Sequence, residues 1–270
     1  MLDGIVEKIK TLPPLPESFH QINAICADEN GTIEKLAKAI EKDPMLVANI
    51  LKVANSPLYG FRREIKSVLQ AVSLFGMSTT RALAADISVK KLLKVDIEPY
   101  GIIPEDFVEI SNIQGALATA WYKKVNPKKL EVLFLCALLQ ETGKILIADE
   151  VVKNDETMQF KSEIEMAYNI AQVERSYVSA TTAMITAAIF DHWGFDKTMV
   201  EAIKYSDNPA SAEDPDIKEY ATALNIIRTA VPVNAPLSER SVTLALSLIN
   251  ETGYDEGIFA EAIEKIIDNY

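Results

Sequence analysis

Ile65-Lys66-Ser67-Val68-Leu69-Gln70-Ala71-Val72-Ser73-Leu74-Phe75-Gly76 spells out one short helix with both of its ends. Ser67 followed by Gln70 three residues later forms a capping box, and Gly76 supplies a left-handed stop at no steric cost. A second helix is expected over 78–93 with Ser78 as its cap. Outward in both directions, apolar residues keep recurring at three- and four-residue steps and sustained period-two alternation is absent. The class is therefore all-α. Asp43-Pro44, Asn126-Pro127 and Asp214-Pro215 each place a side-chain acceptor before a proline, a pairing that satisfies orphan amides and needs no partner for the proline nitrogen. Further helices are expected over 104–121, 179–193 (stopped by Gly194), from Asp196 as cap through 205, 237–250 and 255–269. Residues 206–216 read as the longest polar linker, residues 96–104 as a softer boundary, and no internal repeat is present.

The chain has 270 residues, 49% of them hydrophobic, enough for a sizeable core. No apolar run approaches the roughly 20 residues needed to cross a bilayer, and Met1-Leu2-Asp3-Gly4 lacks the basic start of a signal peptide. Cys26 and Cys136 have no CxxC spacing and read as reduced thiols, so a cytoplasmic location is expected. A net charge of −12 opposes non-specific attraction to nucleic acid or anionic lipid. Residues 61–95 run against that trend. Arg62, Arg63, Lys66, Arg81, Lys90, Lys91 and Lys94 face only Glu64 and Asp86 there, giving +5 against −17 in the rest of the chain. The stretch reads either as a solvated helix face or as a surface for an anion or acidic partner.

Four segments taken together are more specific than any one: Leu12-Pro13-Pro14-Leu15-Pro16, Ile40-Glu41-Lys42-Asp43-Pro44-Met45-Leu46, Ala54-Asn55-Ser56-Pro57-Leu58-Tyr59-Gly60 and the 65–76 helix. The series resembles the HDOD family, bacterial signalling output domains related in fold to HD-type metal phosphohydrolases. The likeness continues through Leu138-Leu139-Gln140-Glu141-Thr142-Gly143-Lys144 and Trp193-Gly194-Phe195, and so covers roughly residues 12–209. It implies an HD-domain-like helical bundle with an N-terminal lobe (1–95), an HD-like lobe (96–209) and a C-terminal helical extension (210–270).

In HD relatives His and Asp side chains converge on a metal that activates a water for attack on phosphate. Matched to that pattern, the His-Asp doublet falls on Gln140 and Glu141, a later ligand His on Thr182, and a further pair on Ser206 and Asp207. The chain holds only His20 and His192, and neither matches these positions. Gln and Thr are weak ligands, although Glu141 with Asp207 retains the option of holding Mg²⁺ through waters. Gln140, Glu141 and Lys144 serve either as helix-end polar groups or as a remnant pocket in which Lys144 faces an anion.

Pro13, Pro14 and Pro16 form a PxxP segment that reads as a rigid connector or a docking ligand. Asp43, Pro44, Asn55, Ser56 and Tyr59 read as helix punctuation, a lobe contact or a partner surface. A helix-turn-helix over 67–83, its second helix bearing Arg81, is the DNA-binding rival; one base-capable cation beside Asp86 argues against it. The reading that unites these observations is a non-catalytic regulatory output module without a cofactor, bound to a signalling protein or a small anionic ligand. Its competitor is a metal-dependent phosphohydrolase built on carboxylates.

Overall fold

The computed structural model describes residues 2–61, 63–94 and 96–269. Arg62 and Val95, both part of the basic stretch above, lie outside the described residues. Among the described residues the regular structure is helical throughout, without a strand, as the period-three-to-four pattern requires. Helix α1 (Leu2–Lys10) is followed by α2 (Glu17–Ala27), α3 (Ile33–Ile40), α4 (Pro44–Ala54), α5 (Val68–Phe75) and α6 (Met77–Leu93). Then come α7 (Pro104–Val125), α8 (Leu130–Leu139), α9 (Gly143–Lys153), α10 (Thr157–Met166), α11 (Ile170–Val178) and α12 (Thr182–His192). The chain ends with α13 (Lys197–Lys204), α14 (Pro215–Ala230), α15 (Glu239–Thr252) and α16 (Glu256–Asp268). No helix among the described residues is long and apolar enough to cross a membrane.

Two compact units result, one of Met1–Leu12 with Val95–Glu264 and one of Pro13–Lys94 with Lys265–Tyr270. They divide the chain differently from the three segments expected. Helix α1 buries Ile5 and Ile9 and pairs Lys8 with Asp149 of α9, which takes it out of the 13–94 unit. Helix α14 buries Ile217, Ala221, Leu224 and Ile227 and packs on α8 and α13, so residues 210–264 close the same core rather than extend it.

Capping chemistry explains most boundaries and corrects some. Asp43 Oδ1 accepts from Met45 N at 3.0 Å, and Asp214 Oδ1 from Asp216 N at 2.7 Å, each with proline at the first helical position. Asn126 does not cap. Residues Pro127–Lys129 form a 3₁₀ turn instead, and the Asn126 amide donates to Glu219 Oε1 at 3.1 Å. Ser67 Oγ accepts from Gln70 N at 3.2 Å, but Gln70 Oε1 returns to Lys66 N, one residue earlier than a strict capping box. Gly76, at φ 79°, both ends α5 and starts α6, which leaves Ser78 inside the first turn rather than at its cap. The helix expected over 179–193 begins later, because Ser179 at φ 58° terminates α11 and Thr181 Oγ1 caps α12 through Met184 N at 3.3 Å.

The 13–94 unit is built on Ile22, Leu36, Ile40, Leu46, Ile50 and Val72, all buried. Asn55 ties its α4 end to the strand-like approach of α5. Its Oδ1 accepts from Ile65 N at 2.8 Å, while Nδ2 donates to Ile65 O and Leu51 O at 2.9 Å each. Asn55→Ala is expected to lower the unfolding free energy by about 0.5–1.5 kcal/mol for each of the part-buried bonds to Ile65 that it removes. Urea titration followed by circular dichroism measures it, and an unchanged midpoint would contradict the clip.

Candidate functional site

The strongly apolar helix α8 ends in two polar residues, Gln140 and Glu141, and after one turn Gly143 begins α9. These residues are not solvated helix-end groups: Gln140, Glu141 and Lys144 are all buried. A Cβ on Gly143 would stand 2.6 Å from Thr182 O and 2.9 Å from Thr186 N, so only glycine lets the start of α9 lie against α12. Thr186 Oγ1 fixes that approach, accepting from Gly143 N at 2.8 Å and donating to Gln140 O at 3.1 Å.

The close approach delivers Lys144 into a shell of oxygens. Its Nζ lies 2.8 Å from Glu174 Oε1, 3.0 Å from Glu141 Oε2 and 3.0 Å from Thr182 Oγ1, and 5.0 Å from the centre of the Tyr100 ring. Glu174, from α11, is saturated: Tyr100 Oη and Thr182 Oγ1 also donate to its Oε1, at 3.0 and 2.6 Å, and Thr182 N to its Oε2 at 2.6 Å. Glu141 Oε1 accepts from Gln114 Nε2 at 3.1 Å, and Gln140 Nε2 donates to Gln114 Oε1 at 3.0 Å. A second pair adjoins the first. Arg228 Nη2, from α14, lies 2.5 Å from Asp207 Oδ1 and 3.2 Å from Ser206 Oγ, and Thr181 Oγ1 donates to Asp207 Oδ2 at 2.5 Å.

The electrostatics follow from this pairing. Burial alone would lower the Lys144 ammonium, but the carboxylates of Glu141 and Glu174 outweigh it and raise it above its ordinary value. Burial likewise opposes ionisation of Asp207, yet Arg228, Thr181 and Lys144 hold it below the ordinary range. Burial, then Glu174, pushes the Tyr100 phenol well up. No histidine enters the cluster: His20 on α2 and His192 at the C-terminal end of α12 are both exposed.

The donor set does not fit the metal that HD relatives hold. Glu141 and Glu174 close on an ammonium of this chain, Gln140 offers only a neutral amide oxygen, and Asp207 is matched to Arg228 rather than sharing an ion with Glu141. Among the described residues no three His, Cys, Asp or Glu side chains are grouped to hold a metal ion.

Above this floor opens a cleft of about 470 Å³, whose lining includes Glu141, Lys144, Glu174, Thr182, Asp207 and Arg228. Four of the six residues singled out from sequence therefore face it. Gln140 and Ser206 are buried behind, as supports. Sequence reasoning passed over Gln114, Glu174 and Arg228. Gln114 and Arg228 do interrupt apolar runs, Ile113-Gln114-Gly115-Ala116 and Ile226-Ile227-Arg228, which is a usable signal. Glu174 sits in Gln172-Val173-Glu174-Arg175 and carries none.

The other candidates lie in the 13–94 unit. Asp43, Pro44 and Asn55 are helix punctuation, Ser56 precedes the 3₁₀ turn Pro57–Tyr59, and Pro13 to Pro16 join α1 to α2 with Leu15 buried between them. Tyr59 packs edge-on against Phe75, and its buried hydroxyl finds no hydrogen-bond partner among the described residues. Helix α6, the rival recognition helix, buries Ala82 through Asp86 as well as Ser88 and Val89, and Lys90 is ion-paired with Asp86 at 2.8 Å. A major-groove reader needs that face free.

The arrangement defines an all-helical HD-like domain with a buried ammonium held between two carboxylates at the start of α9. Solved structures share the fold. A candidate phosphohydrolase from Shewanella amazonensis SB2B superimposes with a TM-score of 0.70 at 21% identity, over 98% of this chain and 94% of that one. A candidate signal transduction protein from Marinobacter aquaeolei VT8 gives 0.70 at 21%, over 99% of this chain and 62% of that one. An uncharacterized protein of Treponema pallidum (strain Nichols) is 22% identical over 232 residues, which are 83% of this chain, and the match spans 44% of that protein's length. The HDOD domain family matches residues 12–209, and the chain belongs to it.

Lys144→Ala leaves two carboxylates facing without their cation and is expected to cost about 3–5 kcal/mol of unfolding free energy. Mn²⁺ is then expected to raise the melting temperature of the variant and leave the parent unmoved; an equal rise in both would show that the ammonium does not occupy the ion's place. Asp207 supplies a pH signature. Because its carboxyl is held below its ordinary value of 3.8, the stability it contributes is present above that pH and lost as pH falls through the lower value in the fold. Asp207→Asn is expected to flatten the loss of stability below about pH 4, and a variant as acid-sensitive as the parent would contradict the assignment.

Proposed function

We propose that this chain is a non-catalytic regulatory output module of the signalling kind, acting by recognition of a protein partner or a small anionic ligand. One observation carries the reading: Lys144 Nζ sits 2.8 Å from Glu174 and 3.0 Å from Glu141, at the doublet where the family resemblance puts the metal ligands. An ammonium neutralises those carboxylates as an ion would. It has no empty orbital for a water or a phosphoryl oxygen, so it neither generates hydroxide at neutral pH nor polarises a substrate as a Lewis acid. Asp207, the remaining carboxylate of the floor, is paired with Arg228.

The signalling half of the proposal draws on the HDOD family and on the Marinobacter relative, which is a candidate signal transduction protein. The Shewanella relative, a candidate phosphohydrolase, favours the competing reaction class. Cys26 and Cys136, neither of them in a disulfide, accord with a cytoplasmic setting. Incubation of the purified chain with Mg²⁺ or Mn²⁺ and a panel of nucleotides and phosphoesters decides between the two. No phosphate release above buffer is expected. Turnover that Glu141→Ala abolishes would replace the proposal with a carboxylate-based hydrolase.

A further inference from the structure

The cleft over Lys144 has a rim that the floor does not explain. Its carboxylates are spent below the surface: Glu141 and Glu174 are buried and paired with Lys144, and Asp207 is paired with Arg228. Those three acids and two cations leave the floor at −1. Arg175 from α11 and Arg240 from α15 also line the cleft and turn the balance of the whole lining to +1. Arg175 is exposed and its guanidinium makes no ion pair or hydrogen bond among the described residues. Arg240 stacks on Tyr168, 3.5 Å from ring centre to guanidinium, and donates one N–H to Ala167 O. Four donors of its fork remain. Two guanidinium groups, brought from different helices to one concave mouth whose acids all lie against a cation of the floor, suit the oxygens of a phosphate.

A free phosphate would fill only a fraction of about 470 Å³, a volume within the range of small-molecule sites. The rest of the lining has two characters. Asn225 Nδ2 is committed to Ser206 O at 2.7 Å and Asn234 Nδ2 to Ile164 O at 2.8 Å, which holds both side chains in place and leaves their carbonyl oxygens as acceptors. Such acceptors suit hydroxyl and amino hydrogens. Opposite in character, Leu244 is 38% exposed and lines the same cleft with Pro232 and the buried Val233, apolar surface against which a planar ring can pack. Anion at the rim, hydrogen-bond donors in the middle and a planar apolar face describe one compound class.

We infer that this cleft binds a nucleoside monophosphate without hydrolysing it, its phosphate on Arg175 and Arg240 and its base against Leu244. The inference rests on the non-catalytic reading above and names the ligand class for that site. Isothermal titration of the full chain with AMP, GMP, adenosine and inorganic phosphate tests it, with phosphate release measured on the same samples. AMP or GMP is expected to bind, with adenosine and phosphate each weaker by at least about tenfold, and Arg175→Gln, a change at an exposed unpaired side chain, is expected to weaken the nucleotide by about tenfold. Leu244→Asn, which shortens the apolar wall without adding charge, serves as a second variant and should weaken AMP while leaving phosphate unchanged. The site is overturned if neither nucleotide binds, if phosphate binds as well as both, or if both variants bind like the parent. Phosphate release with binding intact would overturn the non-catalytic reading and keep the site, whereas no binding and no release would do the reverse.

Discussion

A single buried ammonium sets the terms for the unit that carries the cleft. Taking Lys144 out of water is costly unless opposite charge and hydrogen-bond acceptors surround it, and Glu141, Glu174 and Thr182 provide both within 3.0 Å. Each of those groups comes from a different place in the chain: the end of α8, the middle of α11 and the first turn of α12. None can drift without stranding a charge. Gly143 belongs to the same constraint, since the backbone of α12 stands where any side chain at that position would go. The fixed charges then dictate chemistry: an ammonium in this position balances carboxylates without offering a coordination site.

Much of this organisation is legible in the sequence because it rests on local rules. Asp43-Pro44 and Asp214-Pro215 announce helix starts, Gly76 and Gly194 announce stops, and period-three-to-four apolar spacing excludes a sheet. Departures arise where a tertiary partner outbids the local one. Asn126 gives up a cap for Glu219, and Ser179 breaks an expected helix because the chain must turn there to bring Thr181 and Thr182 to the cluster. The C-terminal helices read as an extension, yet the apolar face of α14 has its complement on α8 and α13, a long-range match that spacing cannot reveal.

The site was half legible for a related reason. The family resemblance pointed to Gln140, Glu141, Lys144, Thr182, Ser206 and Asp207, and the fold gathers them around one floor. Sequence offered no way to see that Lys144 itself supplies the cation, because an i, i+3 pair with Glu141 at a helix start usually lies in solvent. Burial makes the difference, and burial here depends on Gly143, Tyr100 and Glu174, which are remote in sequence or unremarkable in composition. Arg228 is the exception that a closer reading of apolar runs can catch.

The account therefore turns on whether Lys144 keeps a metal ion from lying between Glu141 and Glu174. Elemental analysis of the chain as purified, without chelator, measures this directly. Iron, manganese and zinc well below one equivalent per chain are the result expected of an ammonium-filled site; any of the three at stoichiometric level would contradict it.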